Sequence, residues 1–195
     1  MSLSLDAMLV AGFDGVAVVV GDDDFADLVP AGVHTVLSPD WQRGQSHSLQ
    51  AAAAFASDSG YDAMVIGLAD QPLVESATWS AVRMATDTPI AVAAFAGRRR
   101  PPVRLSSEVW AELPVGGDTG ARDLIASSGD RVTEVPSAGD PSDVDTLESL
   151  EEVRQRYLDR IAVRGLLGRE PMGACLVYTS PSPRDATLSR MPSSA

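Results

Sequence analysis

The chain has 195 residues, 45% of them apolar, and a formal net charge of −12. That length suffices for one α/β domain with a sizeable core, and the excess of acid argues against a nucleic-acid backbone as partner. No apolar run is long enough to span a bilayer and no basic, apolar leader opens the sequence, so a cytoplasmic protein with no membrane attachment is expected. The fifteen basic residues are all arginine, and a single cysteine, Cys175, leaves no disulfide framework and no cysteine metal site to build.

In chain order, Leu5 to Ala11 reads as the end of a helix stopped by Gly12, and Val16 to Val20 as a β-branched strand ending at Gly21. Asp22, Asp23 and Asp24 read as a solvated helix start rather than a metal site. Val33 to Leu37 predicts a short strand and Ser48 to Ser57 an alanine-rich helix, with Ser48 placed to cap it. The nearly unbroken apolar run from Tyr61 to Ala69 lies between Ser57-Asp58-Ser59-Gly60 and Pro72 and predicts a buried strand. Glu75 to Ala85 follows as helix and Ile90 to Ala96 as strand. Arg98-Arg99-Arg100-Pro101-Pro102 reads as a solvated basic turn. Ser107 to Leu113 and Thr119 to Ser127 are predicted helices, Val132 to Val135 a strand, and Leu147 to about Leu158 a last helix. This alternation predicts an α/β fold of three layers, a mostly parallel sheet with helices on both faces.

Asp70 ends the Tyr61 to Ala69 run and is followed by Gln71 and Pro72. Ligands of open α/β sheets lie beyond the carboxyl ends of the strands, so an acid there suits a bound metal or phosphate. It equally suits the cap of the helix that follows. Residue type and position alone leave both readings open.

Four segments decide between them by resemblance. DAMVIGLADQPLV, the stretch from Pro39 to Ser48, Gly117-Asp118-Thr119-Gly120-Ala121-Arg122 and Asp143-Val144-Asp145-Thr146 stand in this order. They resemble the LADQP, NPxWxxGxxxSL, GDxGAR and DVDT motifs of MobA-like nucleotidyltransferases, the molybdenum cofactor cytidylyltransferases in particular. The resemblance implies a nucleotide-diphospho-sugar transferase-like fold over residues 1–160. It further implies transfer of a nucleoside monophosphate from an NTP, CTP in this branch, to the phosphate of a molybdopterin-type cofactor. Mg²⁺ is the implied cofactor, held by Asp70 and Asp145, the catalytic pair, with Asp143 competing for the second position. Gly44, Ser46 and Ser48 are implied on the nucleotide side, and Gly117, Asp118, Gly120 and Arg122 on the acceptor side. The implied partners are a nucleoside triphosphate, the molybdopterin acceptor and a molybdoenzyme that receives the product.

The chain departs from the family pattern at both ends. It has no AAGxSxRMG-type glycine-rich loop and no lysine, and Pro101-Pro102 stand where relatives show GHP. A first strand and its phosphate loop are therefore expected to be missing, leaving two unpaired strand edges facing a gap and the fragment without activity. Residues 161–174 read as linker, and residues 175–195, rich in Ser and Pro, as a non-native tail. Two other readings stay open: a non-catalytic module binding a nucleotide or protein on the same fold, and a transferase with a sugar-phosphate or phospholactate acceptor. His34 and His47 have no metal-ligand spacing and receive no catalytic role.

Overall fold

The computed structural model describes residues 3–22 and 29–166. Its elements are α1 (Leu3–Leu9), β1 (Ala17–Val20), β2 (His34–Leu37), α2 (Gln45–Asp58), β3 (Ala63–Ile66), α3 (Ser76–Met84), β4 (Ile90–Phe95), β5 (Arg98–Ser106), α4 (Arg122–Ser127), β6 (Val132–Ser137) and α5 (Leu147–Leu166). No helix among the described residues is long and apolar enough to cross a membrane.

The described strands form two sheets. β1 and β2 pair in parallel, while the other four follow the order β3-β5-β4-β6. β5 runs antiparallel to both β3 and β4, and β4 is parallel to β6, so β3, β4 and β6 share one direction. Alternate residues of β4 serve opposite faces, as the period of a strand requires. Ala91, Ala93 and Phe95 join Leu5 and Met8 of α1 and Trp79 and Val82 of α3. Ile90 and Val92 join Leu49 and Ala53 of α2 with Val103, Leu105 and Leu124. Helices thus cover both faces, the three-layer arrangement expected from the alternation.

β5 corrects the reading of Arg98 to Pro102 as a turn. The turn lies one step earlier, at Ala96 (φ 47°) and Gly97 (φ 76°). Two successive residues with positive φ make the tight hairpin whose twist matches that of its strands. The arginines then enter the ladder, Arg98 opposite Phe95 and Arg99 opposite Ala94. Pro101 and Pro102 fall where the register steps from Val92↔Val103 to Ala93↔Arg100, a bulge in which proline's lack of an N–H costs no ladder bond.

Element ends differ from the expectations in three places. α2 begins at Gln45 with Gly44 as its N-cap, so Ser48 sits inside the helix and does not cap it. α4 begins at Arg122, leaving residues 117–121 as a loop, and residues 107–112 form a 3-10 turn. α5 runs on to Leu166, into the segment read as linker. The rest of that segment, the tail at 175–195, and Asp23 and Asp24 lie outside the described residues.

β3 is the other correction. All four of its residues are half-buried, whereas all six of β4 are buried. Among the described residues β3 pairs only with β5, and β1 only with β2. Between them lies a cavity of about 520 Å³, lined by Val16, Ala17 and Val19 on one side and Ala63, Met64 and Val65 on the other. β3 borders this cavity along its free length, which is why its residues are only half-buried.

Candidate active site

The cavity does not end with the strands. It continues past β3 to Gly67, Leu68 and Gln71, and there meets Gln45 and Ser48 of α2, Thr119 to Arg122, and Asp143. Backbone at the carboxyl end of β3 is packed closely, because a Cβ on Gly67 would lie 2.2 Å from the ring of the buried Trp79. That contact leaves no room for any other residue at the point where the strand opens into its loop.

Gly44 and the 117–120 loop are built against each other. Gly44 has φ 119°, a region that L side chains rarely adopt. A Cβ there would meet the Gly117 carbonyl oxygen at 2.6 Å and Asp118 Oδ1 at 2.7 Å. The Ser46 N–H, at the start of α2, donates to the same Gly117 carbonyl at 3.1 Å. On the other side of the loop, a Cβ on Gly120 would lie 2.6 Å from Gln45 Oε1. The two segments are thus packed directly on each other, although more than seventy residues separate Gly44 from Gly117.

The serines divide. Ser48 lines the cavity. Ser46 is fully buried, and its Oγ makes no hydrogen bond among the described residues. Nδ1 of the neighbouring His47 is likewise buried without one. Ser46 is a polar group facing away from the cavity that Ser48 borders, two helix positions apart.

The acids converge through the backbone. The Val144 N–H donates to the Asp70 carbonyl at 2.8 Å, which draws the 143–145 loop onto the end of the β3 segment. Asp143 and Asp145 flank that contact and differ in what they meet. Asp143 Oδ1 accepts from Gln71 Nε2 at 2.6 Å and lines the cavity. Asp145 is exposed and is not among the cavity-lining residues, while its N–H donates to Ser149 Oγ at 3.1 Å. The capping role lies with Thr146, whose Oγ1 accepts from the Ser149 N–H at 3.1 Å while Ser149 Oγ accepts from the Thr146 N–H at 3.0 Å. This reciprocal box starts α5. Among the described residues no group of three or more His, Cys, Asp or Glu is placed to hold a metal.

Two residues that sequence reasoning passed over hold this arrangement. Gln71 is 3% exposed; besides its bond to Asp143 its carbonyl accepts from Ser4 Oγ of α1 at 3.1 Å. Its signal was a glutamine fixed between Asp70 and Pro72 at a strand end. Arg156 of α5 reaches Asp140 Oδ2 at 2.6 Å, and Asp140 also accepts from the Ser142 N–H at 2.9 Å and from its hydroxyl. Partial burial disfavours the Asp140 carboxylate, but the bonds from Ser142 and Arg156 outweigh it and hold its carboxyl below the usual carboxylate range. α5 thereby pins the loop that carries Asp143.

Positive charge gathers at the same cavity. Arg99, Arg100 and Arg122 all line it, Arg99 with a partner in Glu134 at 2.8 Å. Acid, amide and guanidinium groups around one cleft beyond the carboxyl ends of β-strands define an α/β domain of the nucleotide-binding type.

The chain belongs to the MobA-like NTP transferase domain family, whose profile matches residues 2–132. It is 33% identical over 120 residues to the purine catabolism protein PucB of Bacillus subtilis, an alignment covering 60% of this chain and 58% of that protein. The chain therefore spans less than two thirds of that relative's length. Among solved structures it is similar to Rv0371c of Mycobacterium tuberculosis in complex with manganese, with 28% identity and a TM-score of 0.62 over 75% of this chain and 82% of that one. A nucleotidyl transferase from Methanothermobacter, at 20% identity, shares the fold with a TM-score of 0.65 over 79% of this chain and 78% of its own.

Proposed function

We propose that this chain carries the metal and acceptor side of a nucleotidyltransferase that moves a nucleoside monophosphate from CTP to the phosphate of a molybdopterin-type acceptor. The observation that supports this reading is the meeting of Asp143, Gln71, Gly120 and Arg122 around one cavity, with Asp70 tied by its backbone to the loop that carries Asp143 and Gly44 packed on the Gly117 end of the other loop. Likeness to a purine catabolism protein suggests an enzyme of purine breakdown as the recipient of the product.

In the proposed reaction an acceptor phosphate oxygen forms a bond to the α-phosphorus, the bond from that phosphorus to the bridging oxygen breaks, and pyrophosphate leaves with the electron pair. Such transfer is mostly alignment and charge neutralisation. The donor set fits Mg²⁺, which needs only one or two carboxylates and completes its shell with waters and phosphate oxygens. Asp70 and Asp143 would hold it, with Asp145 at the outer side of the loop, and it would neutralise triphosphate charge. Gln71 holds the Asp143 carboxylate in one orientation, leaving Oδ2 outside that bond. Arg122, Arg99 and Arg100 supply local positive charge that an otherwise acidic protein needs to attract a phosphate.

Calorimetric titration with CTP, with and without Mg²⁺, tests the reading. Mg²⁺-dependent binding is expected, weakened about tenfold or more in Asp70→Asn and Asp143→Asn. Binding that ignores both Mg²⁺ and the two substitutions overturns it.

A further inference from the structure

We infer that Arg99 is an oriented clamp for a phosphomonoester on the acceptor side of the cleft, and that Glu134 is the positioning residue that aims it. Glu134 holds the guanidinium by its Nε and leaves the two terminal nitrogens to grip phosphate oxygens. The inference deepens the acceptor half of the proposed function and rests on that reading for the molecule that carries the phosphate.

Strand lengths and register place the two side chains. β5 has nine residues but pairs with β3 only from Val103 to Ser106, while Arg98 to Arg100 pair with β4 alone. The start of β5 therefore overhangs the carboxyl end of β3, where the strand gives way to the loop of Asp70 and Gln71. Arg99 stands opposite Ala94 of β4, and Glu134 of β6 opposite Val92. Positions 92 and 94 of one strand share a face, so Arg99 and Glu134 lie on the same side of the sheet and meet across β4. It is the side where Val92 packs with Leu124 of α4, the helix that Arg122 begins. Arg99 and Arg122 both line the cavity. Arg98, opposite Phe95, alternates to the other face and is not among the lining residues.

The bond itself says what the pair is for. Arg99 Nε donates to Glu134 Oε1 at 2.8 Å, and among the described residues the guanidinium makes no other hydrogen bond. Its end-on edge, with both terminal nitrogens, is the parallel fork that matches two phosphate oxygens. The side chains are 43% and 45% exposed, and an ion pair so open to water adds little to stability. A site that merely attracted anions would not place a carboxylate beside its arginine. Glu134 instead removes rotamer freedom from a long side chain before the ligand arrives, which lowers the entropy lost on binding.

Calorimetric titration of the full chain with phenyl phosphate, in EDTA and without nucleotide, tests this. Arg99→Ala should weaken binding about tenfold or more, and Arg99→Lys nearly as much, since lysine keeps the charge but loses the fork. Glu134→Ala should weaken it about two- to tenfold, the cost of ordering one long side chain on binding. Glu134→Gln keeps an oxygen for the Arg99 Nε–H and removes a negative charge, so it should bind at least as tightly as the parent. Binding as tight in Glu134→Ala as in Glu134→Gln would make Glu134 a mere charge and overturns the inference. So does a loss in Arg98→Ala equal to that in Arg99→Ala, which would replace the clamp by a diffuse field, and so does a parent that binds no phenyl phosphate. Mg²⁺-dependent CTP binding is read in a separate titration, so failure of the clamp leaves that result standing, and the reverse.

Discussion

β3 and β4 are short apolar strands that run the same way through one sheet, yet every residue of β4 is buried and every residue of β3 is only half so. β4 has a partner on each side, β5 and β6, and a helical layer on each face. β3 has β5 on one side and the cavity on the other. Burial of a strand is thus a property of its neighbours as much as of its residues.

The comparison can be broken most directly by truncating one side chain in each region. Leu105 of β5 is fully buried against Ile90 and Val109, so Leu105→Ala is expected to cost about 2–5 kcal/mol in urea unfolding. Met64→Ala on the half-buried edge should cost about 1 kcal/mol, since little of its surface leaves water on folding. Equal losses at the two sites would mean that β3 is not an open edge in solution.

Gly44 sharpens the comparison by asking whether the site belongs to the tightly packed region. Gly44→Ala places a methyl within 2.6 Å of a backbone oxygen at a positive φ. The expected loss is about 1–3 kcal/mol in thermal or urea unfolding, because neither loop can yield without moving the start of α2. An unchanged melting temperature would show the 117–120 loop to be free of α2.

The smallest effect concerns acid. Asp140 has a lowered folded-state pKa, so its contribution to stability is present above the unfolded value of about 3.9 and is lost as pH falls through the lower folded value. Arg156→Ala removes one of the bonds that lowers it, and the melting temperature of the variant should converge on that of the parent as pH falls through that range. A difference between the two that stays constant to the lowest pH would assign the loss to packing of α5 instead.

Strands were legible in the sequence where apolar runs met Gly or polar punctuation. β1, β2 and β4 each start and end within about one residue of the expectation. β5 was hidden because its first five residues are Arg-Arg-Arg-Pro-Pro, which carries no strand pattern, and its pairing depends on a turn at Ala96 and Gly97 and on a bulge. α2 starts early because Gly44 caps without a side chain, leaving the capping signal on Ser48, an interior position. The acids of the DVDT segment were visible but not their division of labour. A strand's period of two would put Asp143 and Asp145 on one face and could not separate them; the segment is instead a loop, held at Val144 by the bond to Asp70, and only Asp143 of the two lines the cavity. The interlock of Gly44 with Gly117 has no local signature at all, being a contact between distant loops.

Ser4, near the start of α1, is linked to Asp143 through a single intermediary, since its hydroxyl bonds the Gln71 carbonyl and the Gln71 amide bonds the carboxylate. A purification tag or fusion partner joined immediately ahead of Leu3 would press on that relay and disturb an acid remote in the chain.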